Sequence, residues 1–383
     1  MTSPTLAPQA TADVDLGPIY LSPPDMSPQE REALLRAFDS GWVAPAGPEL
    51  DAFEAELAAY VGVEACAAIS SGTGALHLAL LGAGVQPGDR VVVQTATFAA
   101  SAFAVTYAGA EPVFCDVSRS TWNIDPERLG AWLERQPASA MPAAVMAVDL
   151  YGLCPDYAEL RRVCDRFAIA LVEDAAEALG SIAGGRNAAT FGDLSALSFN
   201  GNKIVTTSGG GALLGSADAI SRAKYLATQA RQPVPWYEHD EIGFNYRMSN
   251  LLAALGRAQL SRLERGIARR WEIRERYRQA FADFTWLDSA TTERPNCWLS
   301  AALLPVGVSP IEVCAALATE RIEARPLWKP MHAQPVFARS ERIGGEVADL
   351  MFDRGICLPS GSSLTDEDQT RVIVALAKAL DRI

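Results

Sequence analysis

The sequence contains little of what a metal site or a disulfide framework requires. It has only three histidines, His77, His239 and His332, and they stand far apart along the chain. Its seven cysteines are scattered, and none of them forms a CxxC pair. We therefore expect no metal site, and we interpret the cysteines as buried free thiols of a protein in the reducing cytoplasm.

A positive surface and a membrane-targeting signal are also missing. The net charge of −13 argues against nucleic acid or an anionic membrane as a partner, so an anionic ligand must be bound by local groups. The first fifteen residues lack the basic and apolar regions of a signal peptide, and we interpret residues 1–18 as a disordered tail. Residues 91–110 carry no charge, but their interior polar residues and flanking turns favour a strand and a helix over a membrane span.

The length and the hydrophobic pattern predict the fold class. A chain of 383 residues exceeds the usual size of one compact core, which favours a large domain over 19–261 and a smaller C-terminal α+β domain over 262–383. From residue 65 onward, short apolar runs alternate with helical segments. This alternation predicts an α/β fold with a mostly parallel sheet flanked by helices.

Two helical segments bear on later points. Ser27 to Glu30 reads as a capping box, and Leu34, Leu35 and Phe38 follow at helical spacing as an apolar face. Residues 251–281 predict one long amphipathic helix that connects the two domains.

Two turns after predicted strands are candidates for ligand binding. Gly72 and Thr73 lie between a strand and a helix, where exposed amides and the helix dipole can bind a phosphate. Glycine-rich turns of this kind are common, so by itself the segment is equally well explained as structural. Phe98 follows the next strand and can stack on a planar ring, although a lone aromatic there is more often part of the core.

The strongest chemical signal is a lysine in a segment that is otherwise uncharged. Lys203 is the only charged residue between Asp193 and Asp218. Lysine can form a Schiff base, and a carboxylate such as Asp174, at the end of an apolar strand, can pair with a pyridinium nitrogen. Together these are the groups that a pyridoxal phosphate enzyme requires from its protein.

Two further side chains extend this candidate site. Glu177 can reach the same cavity if residues 175–180 begin a helical turn, and Ser198 can add a hydroxyl to the phosphate site. The alternative for Asp174 is a structural pairing with a helix N-terminus, because a buried carboxylate needs some partner.

Taken in chain order, these segments resemble the DegT/StrS family of pyridoxal phosphate-dependent nucleotide-sugar aminotransferases. The resemblance covers nearly the whole chain from Ile19. It implies the type I aminotransferase fold, with the large domain binding pyridoxal phosphate. It also implies a homodimer with active sites shared between subunits, a nucleotide-sugar substrate and L-glutamate as the amino donor.

The resemblance also implies residue roles. Gly72, Thr73 and Ser198 would hold the cofactor phosphate, and Phe98 would stack on the cofactor ring. Asp174 would pair with the pyridinium nitrogen, and Lys203 would form the Schiff base. Asn245 of the segment GFNYRM would reach the cofactor phosphate of the partner subunit.

Two departures from the common pattern point to one branch of the family. Glu177 stands where many members have glutamine, and the chain reads TTSGGG at 206–211. Both variants resemble the enzymes that aminate UDP-4-keto-6-deoxy-N-acetylglucosamine in bacillosamine biosynthesis. Arg325, Lys329 and His332 would then line the nucleotide-sugar site, unless their segment is only a proline-rich loop around the small domain.

Other readings stay open at this point. The substrate could instead be a dTDP- or GDP-linked 4-keto-6-deoxy sugar. Sugar dehydratases of the same family have histidine in place of the lysine, which Lys203 argues against. A non-catalytic regulator that retains the fold is also possible, and a visible absorbance band that bleaches with glutamate would distinguish an enzyme from it.

Overall fold

The computed structural model of the chain describes residues 17–382, so most of the predicted tail, residues 1–16, lies outside the described residues. The twelve α-helices within 17–382 are α1 (Pro28–Asp39), α2 (Pro48–Val61), α3 (Gly72–Gly82), α4 (Ala99–Tyr107), α5 (Pro126–Leu133), α6 (Tyr157–Phe167), α7 (Ala217–Ala227), α8 (Asn250–Ser261), α9 (Leu263–Ala280), α10 (Pro310–Thr319), α11 (Glu346–Arg354) and α12 (Asp366–Leu380). The strands are β1 (Ala65–Ile69), β2 (Arg90–Gln94), β3 (Glu111–Cys115), β4 (Ala144–Val148), β5 (Ala170–Asp174), β6 (Ile182–Ala183), β7 (Arg186–Asn187), β8 (Leu194–Ser198), β9 (Gly211–Gly215), β10 (Thr285–Trp286), β11 (Thr292–Arg294), β12 (Ser300–Leu303), β13 (Arg325–Pro326), β14 (Arg342–Ile343) and β15 (Gly355–Leu358).

The largest sheet has eight strands in the order β1-β9-β8-β5-β4-β2-β3-β14. The pairs from β8 to β14 are parallel, and only β9 runs antiparallel to its two neighbours. Strands β1, β2, β3, β4, β5 and β8 of this sheet are formed by short apolar runs, whose side chains are buried on both faces under helices. The predicted mostly parallel α/β sheet is therefore confirmed.

A second sheet lies in the C-terminal part of the chain. It has four strands in the order β10-β12-β15-β13, packed against α9, α10 and α12. Several segments cross the predicted boundary at residue 261, and β11, for example, pairs with β6. Ile19 packs in this C-terminal core beside Ile322, and β14 joins the edge of the large sheet. The exact division into domains stays a prediction.

The predicted long helix over 251–281 was wrong, because the segment forms two helices. The break falls at Arg262, whose backbone angles (φ −107°, ψ 0°) are not helical. Its guanidinium donates to Glu30 Oε1 at 2.6 Å and lies 3.3 Å from Asp25 Oδ1. We attribute the break to these contacts, which tie the junction of α8 and α9 to the start of α1.

Helix α1 begins as the sequence predicted. Ser27 caps it, Glu30 completes the capping box, and Pro28 occupies the first turn. Its large apolar side chains do not pack inside the chain, however. Ala33 and Ala37 face α8, whereas Leu34 and Phe38 are 39% and 63% exposed. An apolar face of this helix is thus left without a partner in the single chain.

The uncharged stretch at 91–110 forms β2, α4 and the turns beside them. Among residues 17–382, no helix combines the length and the apolar character needed to cross a bilayer.

Candidate active site

The candidate residues meet at the carboxyl edge of the large sheet. Strand β5 ends at Asp174 and β8 ends at Ser198, while β1 runs directly into the turn before α3. In open α/β sheets this edge is where ligands bind. A cavity of about 380 Å³ opens here, and it is lined by Gly72, Thr73, Phe98, Asp174, Glu177, Ser198, Lys203, Trp298, Arg325 and Trp328, among others.

The N-terminus of α3 forms one wall of this cavity. Ser71 caps the helix, and its hydroxyl accepts a hydrogen bond from the amide of Gly74 at 3.0 Å. A Cβ atom at Gly72 would lie 2.8 Å from Cβ of Ser198, so the helix can approach β8 this closely only with glycine. The free amides of the first turn and the Ser198 hydroxyl together form a cradle suited to a phosphate.

Lys203 follows a tight turn beyond β8, in which its amide donates to the carbonyl of Asn200. Its ammonium lies 3.1 Å from Oε1 of Glu177 and 4.0 Å from the centre of the Trp298 ring. Only 11% of the lysine side chain is exposed. The amine is therefore held inside the cavity by a carboxylate and an aromatic face.

Asp174 is buried at the end of β5. Its Oδ2 accepts a hydrogen bond from the Ser101 hydroxyl at 2.7 Å, and its Oδ1 accepts one from the amide of Ala176 at 3.2 Å. Burial raises the pKa of this carboxyl, although both hydrogen bonds and the charge of Lys203 act in the opposite direction. Among residues 17–382, no cation lies within ion-pair distance of it, so a cationic ring nitrogen could serve as its partner.

The pKa of Glu177 is subject to the same opposing effects of burial and of favourable contacts. Its Oε2 accepts a hydrogen bond from the amide of Tyr151 at 2.8 Å, while Oε1 pairs with Lys203. Burial raises the pKa of Glu177, and the charge of Lys203 opposes this shift. The turn over 175–180 therefore places Glu177 in the cavity, as the sequence predicted.

Phe98 lies at the mouth of the cavity as the residue before α4. Its ring is 57% exposed, and its centre lies 5.5 Å from that of Trp328. A large aromatic side chain with a free face beside Asp174 and Lys203 is suited to stack on a planar ring.

The segment 325–332 contributes only in part. Arg325 lines the cavity and pairs with Glu323 at 2.9 Å. Lys329 is exposed and does not line the cavity. His332 is buried elsewhere, with Nδ1 2.7 Å from the Thr95 hydroxyl and Nε2 3.1 Å from Asp349. In this chain His332 holds the segment against β2.

Asn245 also lies apart from the cavity. It is exposed, its side-chain oxygen accepts a hydrogen bond from Gln229 at 3.2 Å, and its backbone bridges to Thr228. This position is compatible with a contact to a second subunit, and that role stays a prediction.

The side chains of the site that the sequence reasoning missed include Ser101, Trp298 and Trp328. Ser101 lies on α4, 73 residues from Asp174, and Trp298 comes from a loop 95 residues after Lys203. Trp328 lies in the segment that was predicted to line the nucleotide-sugar site, so a large aromatic residue near Arg325 could have been predicted to line it as well. The other two have no local pattern that points to the site.

Pyridoxal phosphate fits the residues present. A Cβ at Gly72 would crowd the cradle against Ser198. Among residues 17–382, no cation pairs with the buried carboxylate of Asp174. The amine of Lys203 faces the same cavity. These features match the phosphate, the ring nitrogen and the aldehyde of this cofactor.

A family model decides the classification. The model of the DegT/DnrJ/EryC1/StrS aminotransferase family matches residues 24–377. The chain belongs to this family. The predicted resemblance is thereby confirmed, and pyridoxal phosphate is the cofactor of these aminotransferases.

Similar proteins include EpsN of Bacillus subtilis (strain 168), provisionally named a pyridoxal phosphate-dependent aminotransferase. It is 45% identical over 94% of this chain and 95% of its own length. A GDP-perosamine synthase of Caulobacter vibrioides is 36% identical over 96% of this chain and 99% of its own. A UDP-4-amino-4,6-dideoxy-N-acetyl-beta-L-altrosamine transaminase of Campylobacter jejuni is 34% identical over 61% of this chain and 62% of its own length.

Solved structures support the same fold. The aminotransferase TlmJ of Streptoalloteichus hindustanus superposes with a TM-score of 0.88 at 28% identity, covering 96% of this chain and all of that one. The predicted aminotransferase fold is confirmed, and the chain is a sugar aminotransferase of the DegT family.

Proposed function

We propose that this sugar aminotransferase converts UDP-4-keto-6-deoxy-N-acetylglucosamine to its 4-amino sugar, with L-glutamate as the amino donor. The observation that carries the aminotransferase chemistry is the convergence of Lys203, Asp174 and Glu177 on one cavity at the carboxyl edge of the sheet. Both halves of a transamination need one amine that can bind the cofactor and then move a proton.

Each side chain has a role in this proposal. Pyridoxal phosphate, when bound, supplies an electron sink for chemistry at the carbon that bears the amine. Asp174 would keep the ring nitrogen protonated, while Gly72, Thr73 and Ser198 would hold the phosphate. Lys203 would accept the proton from Cα of glutamate and deliver it to C4′ of the cofactor, and Glu177 would keep its amine oriented in the cavity.

The UDP-linked N-acetyl sugar is supported by sequence motifs and by a relative. Glu177 and the TTSGGG segment resemble the branch that acts on UDP-linked N-acetyl-4-keto sugars. The name of the Campylobacter jejuni relative contains a UDP-linked N-acetyl sugar with an amino group at C4. Arg325 lines the cavity with a charge that a diphosphate requires.

A GDP-linked 4-keto-6-deoxy sugar is the second candidate. The observation in its favour is the GDP-perosamine synthase of Caulobacter vibrioides, which matches this chain over a larger share of its length than the UDP-sugar relative does. The two candidates differ at C2 of the sugar, where one has an acetamido group and the other a hydroxyl.

The test is a comparison of kcat/KM for UDP-, GDP- and dTDP-linked 4-keto-6-deoxy sugars, with glutamate as donor. A site that hydrogen-bonds the acetamido group leaves polar groups unpaired with the hydroxyl sugar, so we expect a preference of at least about 100-fold for the UDP substrate. A preference for the GDP sugar would move the assignment to the second candidate.

Lys203→Ala serves as the control for this assay. It should abolish turnover of every sugar while the protein stays folded, and borohydride reduction of the wild type should attach the cofactor to Lys203. An adduct on another lysine would overturn the assignment of the catalytic amine.

A further inference from the structure

The amine of Lys203 lies between a carboxylate and an aromatic ring. Glu177 contacts it from one side at 3.1 Å, and the face of the Trp298 ring lies over it at 4.0 Å. Trp298 is 2% exposed, so this cation–π contact is formed away from water, where such contacts are strongest.

Three hydrogen bonds fix the position of Trp298. Its indole N–H donates to the carbonyl of Asn202 at 2.7 Å, in the turn that carries Lys203. Its amide donates to Oδ1 of Asn296 at 3.0 Å. Its carbonyl accepts from the guanidinium of Arg270 at 2.7 Å. The ring therefore cannot turn away from the lysine without breaking the hydrogen bond between its indole N–H and Asn202.

The same network reaches Glu177. The side-chain amide of Asn296 donates to the carbonyl of Glu177 at 2.8 Å, and Asn296 is fully buried. Asn296 thus connects the backbones of Glu177 and Trp298, the two residues whose side chains contact the lysine amine. Their spacing is held by buried side chains that come from distant parts of the chain.

A sugar aminotransferase needs such a site for part of its cycle. Lys203 is not bonded to the cofactor while the cofactor holds the amino group in transit, and its four-carbon stem is flexible. We propose that Trp298 is a positioning residue that holds the free Lys203 ammonium beside Glu177 through its ring face. This inference rests on the proposed function, because it assumes that Lys203 is released during turnover.

The experiment measures the reactivity of the free lysine directly. The full-length protein is loaded with pyridoxamine 5′-phosphate, which carries its own amine and leaves Lys203 unbonded. It is then treated with limiting acetic anhydride, which modifies uncharged amines, and each lysine is quantified by mass mapping. Lys224, which pairs with Glu54, is the internal standard.

Removing the ring face should release the amine. Trp298→Leu is expected to raise acetylation of Lys203 about fivefold relative to Lys224, because the amine loses the ring face that holds it beside Glu177. Trp298→Phe keeps an aromatic face that attracts cations less strongly than tryptophan, so it should raise acetylation by a smaller factor than Trp298→Leu. A ring-fluorinated tryptophan placed at 298 keeps the shape and the N–H donor but attracts cations less, so it should raise acetylation as well.

The fluorinated variant separates charge attraction from packing. Acetylation that rises in Trp298→Leu but not with fluorinated tryptophan would mean that Trp298 only blocks access, and the proposal would be wrong. Unchanged acetylation in both would also overturn it. Because labelling needs no sugar substrate, failure to aminate any nucleotide sugar would count against the proposed function alone.

Discussion

Asp174 is a buried carboxylate that forms no ion pair with any side chain of residues 17–382. It is 4% exposed, and its hydrogen bonds from Ser101 and Ala176 do not fully offset the burial that raises its pKa. In the cofactor-free protein this carboxylate should therefore destabilise the fold when it is ionised. We expect the Asp174→Asn variant to melt roughly 2 °C higher than the wild type at pH 8.

The pH dependence gives the sign of this effect. A carboxyl whose pKa is raised on folding lowers stability above that pKa, and the penalty vanishes as pH falls toward its ordinary value of 3.8. The gain in melting temperature of Asp174→Asn should shrink as pH falls.

The same substitution should slow the enzyme when the cofactor is bound. Because Asp174→Asn removes the partner of the buried ring cation, we expect the half-reaction with glutamate to slow at least ~100-fold. Scanning calorimetry measures the melting temperatures, and stopped-flow absorbance measures the rate of the half-reaction. Near-normal rates in Asp174→Asn would mean that Asp174 has only a structural role.

Site residues could be predicted from the sequence where the neighbouring residues formed a recognisable pattern. Lys203 stood alone in an uncharged segment, and Asp174 ended an apolar strand, so both could be placed at the edge of the sheet. Ser101 and Trp298 could not, because each reaches the site from a distant segment through a contact that only the folded chain creates.

At the scale of elements, the approach of α3 to β8 depends on Gly72. An alanine Cβ there would lie 2.8 Å from Cβ of Ser198, an atom next to the backbone that cannot move aside. We expect Gly72→Ala to shift the helix N-terminus and weaken binding of pyridoxal phosphate at least ~10-fold, about 1.4 kcal/mol. Titration followed by visible absorbance measures this affinity.

The control for this substitution is another helical glycine. A Cβ at Gly130 in α5 would meet only Val163, at an ordinary 3.7 Å. Gly130→Ala should leave the cofactor affinity unchanged and stabilise the helix slightly. Equal affinities in the two variants would show that the close contact at Gly72 does not shape the phosphate cradle.

The sequence located most elements but not how they pack against each other. Buried strands could be recognised because a parallel sheet covered on both faces requires continuous apolar runs. The break at Arg262 could not, since it depends on Glu30 more than 230 residues earlier. The exposure of Leu34 and Phe38 on α1 likewise depends on which partner covers that face.

At the scale of the whole molecule, the single chain leaves two features unexplained. The α1 face with Leu34, Leu35 and Phe38 is exposed, and Asn245 does not line the cavity that it is predicted to serve. A second copy of the chain would account for both, because a twofold dimer covers the same surface on each subunit and exchanges residues reciprocally.

Mixed dimers test this sharing of sites. Lys203→Ala and Asn245→Ala should each be strongly impaired as homodimers. If Asn245 serves the partner's cavity, one of the two sites in a hybrid draws an intact lysine from one chain and an intact asparagine from the other. After denaturation and refolding of an equal mixture, half of the dimers are hybrids, so activity should recover to about a quarter of the wild type. If both residues act within one chain, every site in the mixture stays defective and no activity returns.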